Sequence, residues 1–126
     1  MKFGTTICCM DGRIQLPVLN YLEKRFGTPN IDNITEAGPN LVLHLGEDKP
    51  KLDAMLIKLN VSIKMHGSTQ VAVVGHPDCA RNPASKEEQI KHLCSAVNFV
   101  KSHFPDVEVI ALWVEGNKEV EEISFE

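Results

Sequence analysis

The sequence predicts an α/β fold in three layers, a mainly parallel sheet with helices on both faces. Three observations carry that expectation. Short β-like runs alternate with amphipathic helical runs along the chain, the order that builds right-handed β-α-β crossovers. The run Val71-Ala72-Val73-Val74 is apolar at every position, as in a parallel strand covered on both sides. At 126 residues, 43% hydrophobic and with a formal net charge of −4, the chain has the size of one domain, residues 1–126, and enough apolar content for a core.

The elements follow in order. Thr5 to Met10 is apolar and rich in β-branched residues, stops abruptly at Asp11-Gly12-Arg13, and reads as a first strand. Val18, Leu19, Leu22 and Phe26 recur at helical spacing, with Gly27 as the stop. Pro17 fits that helix in its first turn, where a missing N–H costs nothing. Asn30 to Thr35 reads as a weak second strand running into Ala37-Gly38-Pro39, and Leu41 to Gly46 is ambiguous. Leu52, Met55, Leu56, Leu59 and Ile63 form one helical stripe, opened near Pro50 and closed by Gly67. Gln70 to Val74 is the central strand. Ser85-Lys86-Glu87-Glu88 fits a capping box and opens a third helix that turns Ile90, Leu93, Cys94, Val97 and Val100 inward. Val107 to Val114 is a further strand, and the alternating tail from Glu119 to Glu126 adds an edge strand.

Composition removes several functions. No apolar run approaches the roughly 20 residues of a membrane helix. The first ten residues hold too short an apolar stretch for a signal peptide. A cytoplasmic protein that stays off the membrane is expected. The mildly acidic balance gives no electrostatic reason to expect nucleic acid. In a reducing compartment the four cysteines, Cys8, Cys9, Cys79 and Cys94, point to metal binding or catalysis rather than disulfides.

In open parallel sheets, sites form beyond the carboxyl ends of the strands, where strand order reverses. The residues there are Cys9-Met10-Asp11-Gly12-Arg13 and His76-Pro77-Asp78-Cys79. Two thiolates and an imidazole suit Zn²⁺, which takes tetrahedral nitrogen and sulfur ligands; iron and cobalt accept the same donors. His76 and Cys79 share one tight loop, and Cys9 reaches the same place if the first and third strands are neighbours. Three protein ligands without an obvious fourth suggest an open, catalytic zinc. Each residue also has a plain structural reading. Cys8 and Cys94 are expected in the core. Asp11 and Asp78 could cap helices, and Arg13 could be a solvated ion-pair partner. His44, His66, His92 and His103 are expected to be surface or internally satisfied histidines rather than proton shuttles.

Taken together, the two motifs resemble those of the β-class carbonic anhydrases, C-x-D-S-R and H-x-x-C, standing here as Cys9 to Arg13 and His76 to Cys79. Glu36-Ala37-Gly38-Pro39-Asn40 is a looser echo of the family's Arg-Asn-Ala-Gly-Asn. The likeness spans Thr5 to Val114. It implies a sheet core of order 2-1-3-4, and zinc held by Cys9, His76 and Cys79. It implies that Asp11 is either a fourth ligand at rest or, swung away, the group that orients a zinc-bound hydroxide, and that Arg13 pairs with Asp11 to hold it off the metal. The implied enzyme is a zinc-dependent lyase of the carbonate dehydratase type, in which that hydroxide attacks carbon dioxide to give bicarbonate. The implied assembly is a homodimer or higher homo-oligomer.

Charge shows why the Asp11–Arg13 pair matters. Zinc(II) with two thiolates and a neutral imidazole is formally neutral, so it acidifies water less than a tris-imidazole site. A third anion would quench it further, and the guanidinium fork of arginine competes for that carboxylate. The chain departs from the family at Gly12, where serine is usual, at Ala80, where glycine is usual, and at Glu36, where the family has a polar amide. If position 80 needed a positive φ, Ala80 would strain the loop. Two other functions compete: hydrolysis of a related linear molecule, carbonyl sulfide or carbon disulfide, and non-catalytic zinc binding with Asp11 closing the site. A redox role for Cys8, Cys9 and Cys79 is weaker still, since adjacent cysteines bridge poorly.

Overall fold

The computed structural model describes residues 1–125. It holds a five-stranded sheet of order β2-β1-β3-β4-β5. The strands are β1 (Gly4–Cys9), β2 (Ile31–Glu36), β3 (Gln70–Gly75), β4 (Glu108–Val114) and β5 (Val120–Ile123). The first four are parallel, and β5 runs antiparallel to β4. The 2-1-3-4 core and the edge strand after it are therefore both present. That edge strand occupies 120–123 of the expected 119–126, and residue 126 lies outside the described residues.

β1 is buried along its whole length because it lies between β2 and β3. From β1 the chain goes out to β2 and then returns across the sheet to β3. Strand order therefore reverses between β1 and β3, and the loops after these two strands open side by side.

Alternation along the strands feeds two cores. On one face Ile7, Val71, Val73 and Ala111 meet α2 (Pro39–Leu45), α3 (Lys49–Asn60) and α4 (Lys86–His103) through Leu43, Met55, Leu59, Leu93, Ala96 and Val100. On the other, Cys8, Ala72, Val74, Leu112 and Val114 meet α1 (Gln15–Phe26) through Val18, Leu22 and Phe26. Helices thus lie on both faces, three against one. Full burial of a side chain such as Phe26 or Leu59 is worth about 1.5–3 kcal/mol.

Local signals act as read. Gly27, in the left-handed region at φ 70°, ends α1 by donating its N–H to the Glu23 carbonyl. The Ser85 hydroxyl caps α4 by accepting from the Glu88 N–H. Leu41 to Gly46, ambiguous in sequence, belongs to α2, which Pro39 opens and Gly46 closes. Beyond Asn60, α3 widens into a π-helical turn, Val61–Met65, that turns Ser62 and Ile63 inward.

The inward face of α4 differs from expectation. Its buried residues are Gln89, His92, Leu93, Ala96 and Val100, while Ile90, Cys94 and Val97 are half-buried. The helix is rotated so that two polar side chains, Gln89 and His92, are buried. Cys94 is therefore not a core cysteine.

Candidate metal centre

The loop after β1 begins at Met10, whose N–H donates to the Glu36 carbonyl. Asp11 then folds back on Arg13. Its Oδ1 accepts the Arg13 backbone N–H at 2.9 Å and Nε at 3.0 Å, and its Oδ2 accepts Nη2 at 2.6 Å. Asp11 thus organises a turn and an ion pair; Ile14, at the N-cap of α1, makes no side-chain cap. The loop after β3 carries His76 and Cys79. Between them Asp78 adopts φ 55°, a left-handed conformation that aspartate tolerates better than most residues. The positive φ in this loop falls on Asp78, so position 80 needs none and Ala80 carries no such strain.

The β2–α2 turn supports this second loop. Gly38 lies at φ 58°, and a Cβ on it would come 2.8 Å from the Arg81 carbonyl oxygen, so only glycine lets the two backbones meet. The Asn40 side chain, buried, donates to the Val74 carbonyl at the end of β3 at 2.7 Å. The Gly38 and Asn40 of the looser motif therefore brace the strand end that leads to His76.

Among the described residues, Cys9, His76 and Cys79 form a buried group whose donor atoms all lie within 4.8 Å of one another. The two Sγ atoms are 3.8 Å apart. Tetrahedral zinc with bonds of about 2.3 Å to sulfur requires a sulfur–sulfur distance of about 3.8 Å. A disulfide, at about 2.05 Å, is excluded at that spacing, and all four cysteines are free. The His76 Nδ1 lies 2.9 Å from the Pro77 carbonyl oxygen, which can only accept, so Nδ1 carries the ring proton. Nε2 is left as a lone pair, buried and without any partner. An orphaned buried acceptor facing two thiols is costly unless something fills the gap. The donor set therefore fits zinc.

Electrostatics agree. Burial holds the His76 imidazole below its ordinary pKa, in the neutral form a ligand needs. Burial raises the Cys79 thiol, with Cys9 adding to the effect. A buried thiol that resists ionisation ligates as thiolate only beside a cation. Hydrogen bonds from Arg13 hold the Asp11 carboxyl well below the usual carboxylate range. Asp11 is thus ionised and engaged by Arg13, and it is not a member of the Cys-His-Cys group. Arg13 also reaches Asp78, donating through Nη1 to the carboxylate and through Nη2 to the carbonyl, both at 3.1 Å, which ties the two loops together.

A family model described as "Putative carbonic anhydrase" matches residues 1–124. The chain belongs to that family. Its fold is that of solved β-carbonic anhydrases. One, the β-carbonic anhydrase CcaA, superposes with a TM-score of 0.61 at 12% identity, covering 97% of this chain and 80% of that one. A second comes from work on two tetrameric β-carbonic anhydrases of the filamentous ascomycete Sordaria macrospora, with a TM-score of 0.56, 9% identity, and 96% and 80% of the two chains covered. A third, CafA of the fungal pathogen Aspergillus fumigatus, gives 0.52 at 12% identity over 95% and 74%. No curated protein matches the sequence.

The sequence-predicted residues thus converge in this carbonic anhydrase family member, but other side chains bear on the site too. A cavity of about 280 Å³ beside His76 is walled by Arg13, Ile14, Pro77, Val114 and the β4–β5 turn. Lys118 of that turn donates to the Arg13 carbonyl at 2.7 Å. Spacing gave no signal for Lys118. At Gly12, a Cβ would meet open space, so the missing serine is not a steric necessity. Cys8 is core, its thiol pushed up to about 12 by burial. His92 is buried, 3.0 Å from Asn82, and stacks near His44; His66 pairs with Asp32 at 2.7 Å, and His103 bonds to Phe99. None of these four belongs to the Cys-His-Cys group. No described helix is long and apolar enough to cross a membrane.

Proposed function

We propose that this chain is a zinc-dependent carbonic anhydrase, a lyase interconverting carbon dioxide and bicarbonate. The observation that carries the reading is the convergence of the Cys9, Cys79 and His76 donor atoms, with a sulfur spacing that matches tetrahedral zinc and an imidazole nitrogen left without a partner. Zinc at this place would supply Lewis acidity and lower the pKa of a water at its fourth position.

The protein's own residues do the rest. Cys9 and Cys79 would hold the ion as thiolates, and His76 through Nε2, its ring fixed by the Pro77 carbonyl. Arg13 keeps Asp11 ionised and turned to the guanidinium, so that Asp11 would not be needed as a ligand. Asp11 can then accept a hydrogen bond from a group at the fourth position and orient it. The neighbouring cavity has apolar walls at Ile14, Pro77 and Val114, suited to a small uncharged linear molecule such as carbon dioxide. This engagement of Asp11 disfavours the closed site in which it would be the fourth ligand.

Free thiols fit a reducing compartment such as the cytoplasm. A homodimer or larger homo-oligomer belongs to the same proposal. Met10 and Leu16, beside Cys9 and Gln15 in the chain, are exposed apolar side chains that a second copy would cover.

Metal analysis with a stopped-flow pH-indicator assay tests the reading. The purified protein should carry about one zinc per chain and accelerate carbon dioxide hydration. Zinc without hydration would instead favour non-catalytic binding or a related linear substrate, and absence of bound metal would reduce the site to buried cysteines. A monomer in sedimentation would remove the oligomer.

A further inference from the structure

The structure assigns a pair of positioning residues, Gln15 and Gln89, that set the two halves of the metal-ligand set from opposite faces of the sheet. The assignment rests on the metal-centre reading above.

Each glutamine stands in the first turn of a helix and reaches back to the loop that precedes it. Gln15 opens α1. Its Nε2 donates to the carbonyls of Cys9 and Asp11, both at 2.8 Å, which uses both amide hydrogens. Its Oε1 accepts from the Asn33 side chain at 2.8 Å, so the amide cannot flip. One side chain therefore fixes the backbone on both sides of Met10, at the ligand Cys9 and at the carboxylate-bearing Asp11.

Gln89 does the same for the second loop from α4, on the other face of the sheet. It is 2% exposed, on a helix face shared with His92, Leu93, Ala96 and Val100. Its Nε2 donates to the His76 carbonyl at 2.9 Å, with the Ala84 and Asn82 carbonyls at 3.3 and 3.4 Å. The amide thus joins the first ligand of the loop to the segment that follows Cys79. Close packing around it depends on Gly75, where a Cβ would lie 3.3 Å from the Gln89 Oε1 and 3.2 Å from the Trp113 ring.

A buried amide is expensive unless it does something an apolar side chain cannot. Here it supplies donors to loop carbonyls that no neighbouring strand can pair. Carbonyls fixed at Cys9 and His76 fix the Cα–Cβ directions of two ligands, and with them the spacing of sulfur and nitrogen around the ion.

The test uses the full chain with Gln15→Met and Gln89→Met, which keep length and remove the donors. Zinc affinity is read by chelator competition, ligand geometry by the absorption bands of the cobalt(II)-substituted protein, and folding by melting of the metal-free form. Each variant should bind zinc about 10- to 100-fold more weakly and shift the cobalt bands. Gln15→Met, at a half-buried position, should do so with little change in metal-free melting, which keeps the test valid if Gln89→Met folds poorly. Wild-type affinity and unchanged cobalt bands in Gln15→Met would overturn the assignment. So would an affinity that falls only in step with melting while the bands stay put. If the wild-type protein bound neither metal, the metal-centre reading would fail and take this assignment with it.

Discussion

The two ends of the sheet hold polar clusters of similar size with opposite logic. At the amino end, Thr5 bonds to Ser68 and Ser62, Ser62 and His66 both bond to Asp32, and Ser68 donates to the Gln70 carbonyl. These side chains satisfy one another. At the carboxyl end, two buried thiols face an imidazole nitrogen that has no partner. Polar groups that close on themselves stabilise a fold, whereas buried donors left open to a common point await a ligand. The same contrast separates the Asp32–His66 pair, which resembles a catalytic dyad but shares its carboxylate with a buried hydroxyl, from the Asp11–Arg13 pair, which stands in the loop that follows Cys9.

That contrast can be broken experimentally. The largest effect is expected for Cys79→Ser, which should abolish zinc binding and carbon dioxide hydration together, checked by metal analysis and stopped-flow; retention of stoichiometric zinc would erase the distinction between the two ends. Arg13→Ala should keep the metal yet lower hydration by about tenfold or more, because Asp11 loses its charge-assisted partner. Loss of metal in this variant would contradict the role given to Arg13.

Smaller effects sharpen the other side. Thr5→Val should cost about 1–3 kcal/mol in urea unfolding, with zinc content unchanged. The metal-free protein should also lose stability as pH falls. His76 and His92 both lie below the ordinary value of 6.5 because of burial. Below that pH the unfolded chain takes up protons that the folded one refuses, so stability declines from about pH 6.5 downward. Melting curves from about pH 8 to about pH 5.5 measure this, and bound zinc should steepen the decline, because a ligating imidazole takes up no proton in the folded state. The smallest change is expected for Ser85→Ala, about 1 kcal/mol from the lost α4 cap, read by urea unfolding.

Much of this was legible in the residues. Apolar runs and helix caps gave the α/β alternation, because burial and hydrogen bonding act locally at fixed periods. The Cys-His-Cys group was legible because Cys9 and the His76–Cys79 loop each follow a buried strand end. The face of α4 was not. Periodicity placed Ile90, Cys94 and Val97 inside, and the packing chose Gln89 and His92, which find carbonyl and amide partners there. One readable hint was Gln89 itself, four positions before Leu93 on the same stripe.

The sequence by itself determined which segments become strands and helices and which side chains carry soft, metal-seeking atoms, since those follow from local pattern and atom chemistry. Only the tertiary structure decided that the Cys9 and Cys79 sulfurs come to 3.8 Å and that the His76 Nε2 is left beside them without a partner. That choice depends on two loops far apart in the chain meeting where strand order reverses, and no local period encodes the distance between them.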